Sequence, residues 1–208
     1  MTYPERVDRM VSVIGAARSG PWEIALIDSW TRPIRLDPNW NGGDYYGNSR
    51  PLDGLTTSLM LITQNALHPD FFDAQFPEHD NLPEAALAGI EGEFAVTEWL
   101  WQRARERAKV SDANHLLYLA RASQLFVAGH GGDLDAALER VQARSLFLPA
   151  EGDLLLRPKL AMTAHQKLLE AGRDTQLMTL DGPMGHLNGV VGMEQAAEKL
   201  RQFLNEEA

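Results

Sequence analysis

Two side chains late in the chain have the types and settings that proton-transfer chemistry uses. Asp153 closes the stretch Leu146-Phe147-Leu148-Pro149-Ala150-Glu151-Gly152-Asp153, and His186 stands in Asp181-Gly182-Pro183-Met184-Gly185-His186-Leu187-Asn188-Gly189. Each follows a short apolar run and each is preceded by a glycine. A carboxylate that orients an imidazole and stabilises its positive charge is the supporting pair of a nucleophilic triad. The elements that must position the pair are legible around it. Arg144 to Pro149 predicts a buried strand that delivers Asp153 to a turn, and Asp174 to Leu180 predicts a second that delivers His186. Between them a helix is expected from about Arg157 to Ala171, the crossover that two parallel strands require. Acid and histidine then share one edge of a parallel sheet, where open α/β folds keep their sites.

Composition narrows the partners. The chain has 208 residues, 44% apolar and 23% charged, enough for one sizeable domain or a domain with an insertion. A formal net charge of -10 argues against a nucleic-acid partner, because phosphate binding needs clustered Lys and Arg. The most basic stretch, Arg103 to Lys109, is interrupted by Glu106 and reads as a solvated helix face. The absence of cysteine removes disulfides and thiolate chemistry. No apolar run approaches the roughly 18 residues of a membrane span, and the start lacks a signal-peptide pattern. The expectation is a cytoplasmic protein with no membrane partner. His68, His79, His115, His130 and His165 lack metal-ligand spacing, so no metal is expected.

Taken in order, Met10 to Gly15 predicts a further buried strand, and Gly20 to about Leu36 a helix with Pro21 in its first turn. Asp37-Pro38-Asn39-Trp40-Asn41-Gly42-Gly43-Asp44-Tyr45-Tyr46-Gly47 is dense in turn formers and aromatics and predicts a loop. Helices are expected over Leu52 to Leu67, Phe71 to Phe76 after a His68-Pro69-Asp70 cap, Pro83 to about Lys109, and Ala113 to Val127 after a Ser111-Asp112 cap. A break at Gly129-His130-Gly131-Gly132 precedes a short helix from Leu134 to Val141. The last helix, Glu194 to Leu204, turns Ala197, Leu200 and Leu204 to one side. Three parallel strands with flanking helices thus surround a helical block of about 90 residues, too long for an ordinary α/β connection. The expected organisation is an α/β core over residues 1–40 and 111–208, with 41–110 inserted as a helical lid.

Several of these stretches resemble one family. Tyr3-Pro4-Glu5-Arg6-Val7, Asp37-Pro38-x-Trp40-x-Gly42-Gly43-Asp44-Tyr45-Tyr46, Pro51-x-x-Gly54-Leu55, Asp112-Ala113-Asn114-x-x-x-Tyr118-Leu119, Gly152-Asp153 and Gly185-His186 are similar in order and spacing to the homoserine O-acetyltransferases, acyltransferases of α/β-hydrolase fold. The resemblance implies a lid of helices and a Ser-Asp-His triad in that chain order, with Asp153 as its acid and His186 as its histidine. It covers this whole chain but only the C-terminal part of the family's fold. The Gly-x-Ser-x-Gly elbow that carries an α/β-hydrolase nucleophile is not found here. Gly47-Asn48-Ser49-Arg50-Pro51 ends in proline, and Ser12 lies inside a predicted strand. The resemblance also implies an acid directly after the histidine in members that act on homoserine. Leu187 stands there, which suits a related acyltransferase or hydrolase better.

Two functional expectations follow. In the first, the chain serves acyl transfer from an acyl-CoA co-substrate to a hydroxyl, or ester hydrolysis, with no bound cofactor and with the serine supplied by an N-terminal half. Tyr45 and Tyr46 are candidate substrate contacts, although the same pair suits packing within the helical block. In the second, the chain is a catalytically inactive, truncated module whose first strand, Met10 to Ile14, pairs with another copy to form a homo-oligomer.

Overall fold

The structure is a computed structural model and describes residues 3–77, 84–130 and 132–205. Pro83, His79 and Gly131, which figure in the sequence reading, lie outside the described residues. The strands are β1 (Arg9–Val13), β2 (Arg144–Leu148) and β3 (Thr175–Leu177). They form one sheet in the order β1-β2-β3, parallel throughout, with Val11 opposite Leu146 and Phe147 opposite Leu177. The helices are α1 (Pro21–Leu36), α2 (Leu52–Ala66), α3 (Pro69–Gln75), α4 (Ala95–Val110), α5 (Ala113–Leu125), α6 (Leu134–Glu139), α7 (Pro158–Glu170), α8 (Asn188–Val191) and α9 (Ala197–Asn205). No helix among the described residues is long and apolar enough to cross a membrane.

The chain divides into two compact units. The first comprises Met1–Ile24, Ala66–His68 and Ser123–Ala208 and holds the sheet. Alternation along β2 builds its core on both faces. Leu146 and Leu148 point one way, to Ala150, Leu180, Ala196 and Phe203. Phe147 points the other way, to Leu138, Val141, Ala161, Ala164 and Leu168. The crossover α7 opens with Pro158, whose missing N–H costs nothing at a helix start, and buries Ala161, Ala164 and Leu168 against the Phe147 face. Strand pairing continues past β3, since Leu180 donates its N–H to Pro149 at 2.8 Å and Glu151 donates to Leu180 at 2.8 Å. The turns that carry Asp153 and His186 therefore begin from hydrogen-bonded neighbours.

The second unit, Ala25–Asn65 with Pro69–Ala122, is helical. Ile34, Tyr45, Leu55, Leu59, Ala104, Ala108 and Ala113 form its core. Gly54 lets α2 cross the end of α1, because a Cβ there would lie 2.5 Å from the Pro33 carbonyl oxygen. The expected helix from Pro83 is corrected. Glu84–Leu87 and Gly89–Glu91 are separate 3-10 turns, and α4 starts only at Ala95. The cause is local: Gly89 has φ of +86°, Gly92 and Phe94 are extended, and the Thr97 hydroxyl accepts the Phe94 N–H as a cap. Of the two tryptophans on α4, Trp99 packs with Phe71, Phe72 and Phe76, and Trp101 is exposed.

Candidate active site

Asp153 leaves the end of β2 through Ala150-Glu151-Gly152, a turn with Gly152 at φ +71°. Its Oδ1 accepts the backbone N–H groups of Leu155 at 2.8 Å and Leu156 at 2.9 Å. That leaves Oδ2 for the ring of His186, whose Nδ1 lies 2.7 Å away. The Asp153 side chain is fully buried, whereas that of His186 retains 21% exposure. As an acceptor-only carboxylate, Asp153 fixes Nδ1 as the donor and leaves Nε2 of the neutral ring free to accept a proton. An aligned imidazole with a bare Nε2 can act as a general base and then as a general acid.

Both loops are tied down. Beyond Asp153, the Leu154 carbonyl accepts the Trp22 indole N–H at 3.3 Å, and Arg157 Nε donates to Glu23 Oε1 at 2.6 Å. Beyond His186, the buried Asn188 donates its amide to the Gly182 carbonyl at 2.8 Å and closes the loop on itself. Gly189 meets Ile14, and a Cβ added there would stand 2.5 Å from Ile14 Cγ2. Ile14, just past β1, has φ of +43°, a costly conformation for a β-branched residue.

Glu23 is fully buried, and burial by itself would push its pKa up. Hydrogen bonds from Arg157 and the Gly20 N–H outweigh that and hold the carboxyl below its ordinary value of 4.5. A carboxyl depressed in the folded state contributes stability above its unfolded pKa, and that contribution is lost as pH falls through the folded pKa. Urea melts of the Glu23→Gln variant are therefore expected to show a flatter stability curve below about pH 4.5 than the parent. Parallel acid limbs in the two proteins would contradict this.

Tyr45 and Tyr46 belong to the helical unit. Tyr45 is buried, donates its hydroxyl to Asp112 Oδ2 at 2.5 Å, and accepts the N–H groups of Ala113 at 3.1 Å and Asn114 at 3.3 Å. Burial, then the Asp112 carboxylate, pushes its pKa up to about 12. Asn114 in turn accepts from the Trp40 indole at 3.0 Å and donates to the Gly43 carbonyl at 2.8 Å. The aromatic Gly-Gly-Asp-Tyr-Tyr loop and the Asp112-Ala113-Asn114 helix start are thus two halves of one lock. Tyr46 is exposed beside a cavity of about 340 Å³ lined also by Gly47, Arg50, Ser111 and Asp112. Among the described residues no three His, Cys, Asp or Glu side chains gather to hold a metal ion.

Sequence reasoning missed the supports of the pair: the Leu155 and Leu156 amides, Asn188, and the Ala66–His68 segment behind the two turns. The Gly-Asp and Gly-His dipeptides were the available signal, since glycine before a functional residue marks a close approach.

No family model matches the chain. It is 30% identical over 207 residues to the homoserine O-acetyltransferase of Symbiobacterium thermophilum, covering 99% of this chain and 54% of that one. Among solved structures, esterase E22 is 48% identical with a TM-score of 0.90, covering 98% of this chain and 56% of that chain. The homoserine O-acetyltransferase from Bacillus anthracis is 26% identical with a TM-score of 0.92, over 99% and 55% of the respective chains. The chain spans about half the length of the curated relatives it matches.

Proposed function

We propose that the chain, which is similar to homoserine O-acetyltransferases and to esterase E22, belongs with these α/β-hydrolases and supplies the acid and the histidine of a Ser-His-Asp triad for ester hydrolysis or acyl transfer. The observation that carries this reading is the 2.7 Å contact from His186 Nδ1 to an Asp153 carboxylate whose other oxygen is already held by two backbone amides. The serine stands on polypeptide outside these 208 residues, upstream in the same chain or in a second one. His186 Nε2 takes the serine proton as the oxygen attacks the acyl carbon, and Asp153 stabilises the imidazolium formed. The same proton goes to the leaving alcohol or thiol as the tetrahedral intermediate collapses to an acyl-serine. Water or an acceptor hydroxyl then gives its proton to Nε2 and removes the acyl group. An acyl-CoA is the donor class for the transfer reaction.

The likeness to esterase E22 and the apolar Leu187 beside the histidine favour ester hydrolysis over transfer to homoserine. Leu187→Asp would offer an anion to a cationic amino-acid acceptor. It is expected to raise the ratio of homoserine acylation to hydrolysis about tenfold, the worth of one hydrogen bond to a charged group at about 1.5 kcal/mol. Product partitioning with an acetyl ester and added homoserine reads this directly, and an unchanged ratio would refute it.

The function itself is tested by co-expressing the chain with the part of the 48% identical esterase that this chain does not cover. Hydrolysis of p-nitrophenyl acetate is expected from the pair, falling at least about 10³-fold with His186→Ala. Labelling of a serine in the 208-residue chain alone by a fluorophosphonate, or activity indifferent to His186→Ala, would sink the proposal.

A second reading attaches to β1, which pairs with β2 along one side and is only half-buried. Here the edge of β1 away from β2, which faces no other strand among the described residues, joins a further strand, from additional polypeptide or from a second copy in an inactive oligomer. Size-exclusion chromatography returning a monomer with one cooperative melt would count against this.

A further inference from the structure

The glycines before Asp153 and His186 both have left-handed backbone, with φ of +71° at Gly152 and +55° at Gly185. Asparagine also visits that conformation, so backbone angle alone does not demand glycine at both places. Close approach does. A Cβ on Gly152 would stand 2.3 Å from Cδ2 and 2.9 Å from Nε2 of His68. A Cβ on Gly185 would stand 2.9 Å from the His68 backbone nitrogen, 3.0 Å from the Ala66 carbonyl oxygen and 3.1 Å from the Leu67 carbonyl carbon. The two turns thus meet at His68, and the Gly185 turn also presses on Ala66 and Leu67, both buried.

We propose that Ala66–His68, with the His68 ring as its main contact surface, is a positioning element that sets the spacing between Asp153 and His186. The proposal rests on the triad reading of that pair. The Asp153 carboxylate is oriented by its own loop, through Leu155 and Leu156. Its distance to a ring on another loop, 33 residues away in sequence, is not set locally. A wedge common to both turns sets it: the His68 ring limits how far the Gly152 turn can relax, and the backbone of the same residue stops Gly185. Close-packed interiors transmit such shifts instead of absorbing them. The contact on which the proposal rests is the packing of His68 against these two glycines.

The test reads the pair without catalysis, by proton NMR of the 208-residue chain. A far-downfield imidazole N–H resonance is expected from His186 Nδ1, abolished by Asp153→Asn. His68→Ala is expected to speed exchange of that proton with water about tenfold, corresponding to opening of the pair made easier by about 1.4 kcal/mol. The amides of Leu146 and Leu148 should keep their protection. His68→Phe, which replaces ring with ring, should restore the parent rate. An unchanged rate in His68→Ala, or an acceleration that His68→Phe fails to reverse, overturns the proposal. If His68→Ala does not fold, His68→Leu is compared with His68→Phe: slower exchange with Phe supports the wedge, and equal rates overturn it. If the parent chain shows no resonance sensitive to Asp153→Asn, the triad pair itself is wrong and the positioning role falls with it.

Discussion

If the proposed triad holds, replacing Asp153 by asparagine is expected to lower kcat for ester hydrolysis about 10⁴-fold, with KM little changed, in the chain co-expressed with the part of the 48% identical esterase that it does not cover. The size follows from tautomer control. The Leu155 and Leu156 amides donate to Oδ1, so the asparagine carbonyl oxygen must occupy that position to accept them. The amide nitrogen is then forced to face His186 Nδ1 at the place Oδ2 held, 2.7 Å away in the parent. Two donors cannot share that contact, so Nδ1 gives up its proton and Nε2 carries it. The ring keeps its place and Nε2 ceases to be its basic nitrogen. Substrate binding does not depend on that nitrogen, which is why the loss falls on kcat. Near-UV circular dichroism should remain that of the parent, separating the effect from misfolding. A loss below tenfold would show that Asp153 does not fix the His186 tautomer during turnover.

The parts of this arrangement that sequence made legible are those governed by one local period. Leu146, Phe147 and Leu148 form a run short enough for a strand and are bounded by turn formers. The 157–171 stretch has helical spacing, and the two together require a parallel crossover; β2, α7 and β3 follow that logic. Glycine-governed geometry was not legible. The stretch around Gly89 and Gly92 reads as helix on apolar spacing, and only the backbone angles show why α4 waits until Ala95. Nonlocal partnership was also hidden. Trp40, Gly43 and Tyr45 stood out as an unusual aromatic loop, but nothing near them in sequence points to Asp112 and Asn114, some 70 residues on. His68 is the same case, since a histidine before Pro69 looks like a helix cap until the two glycines it faces are placed beside it.

Phe203→Ala is expected to cost about 3–5 kcal/mol in urea unfolding, while Leu204→Ala stays within about 0.5 kcal/mol of the parent. The two neighbours are interchangeable in pattern: Ala197, Leu200 and Leu204 make a plausible stripe, and so do Ala196, Leu200 and Phe203. One residue of helix is about 100° of rotation, so only one stripe can face the sheet. The structure chooses the second, with Ala196 and Phe203 fully buried and Leu204 exposed by 54%, which corrects the face expected from sequence. The 3-10 turn at Met193–Ala196 sets the choice, because it enters α9 with Ala196 already against the core. Phe203 then meets the Leu146 and Leu148 face of β2, and the Arg144 guanidinium lies 5.9 Å from its ring centroid. Truncating it opens a cavity beneath the strand that delivers Asp153, so the variant should lose stability and precise placement of the acid together. If Leu204→Ala proves the more destabilising of the two, α9 is rotated from the orientation described and the contacts of Phe203 with β2 are wrong.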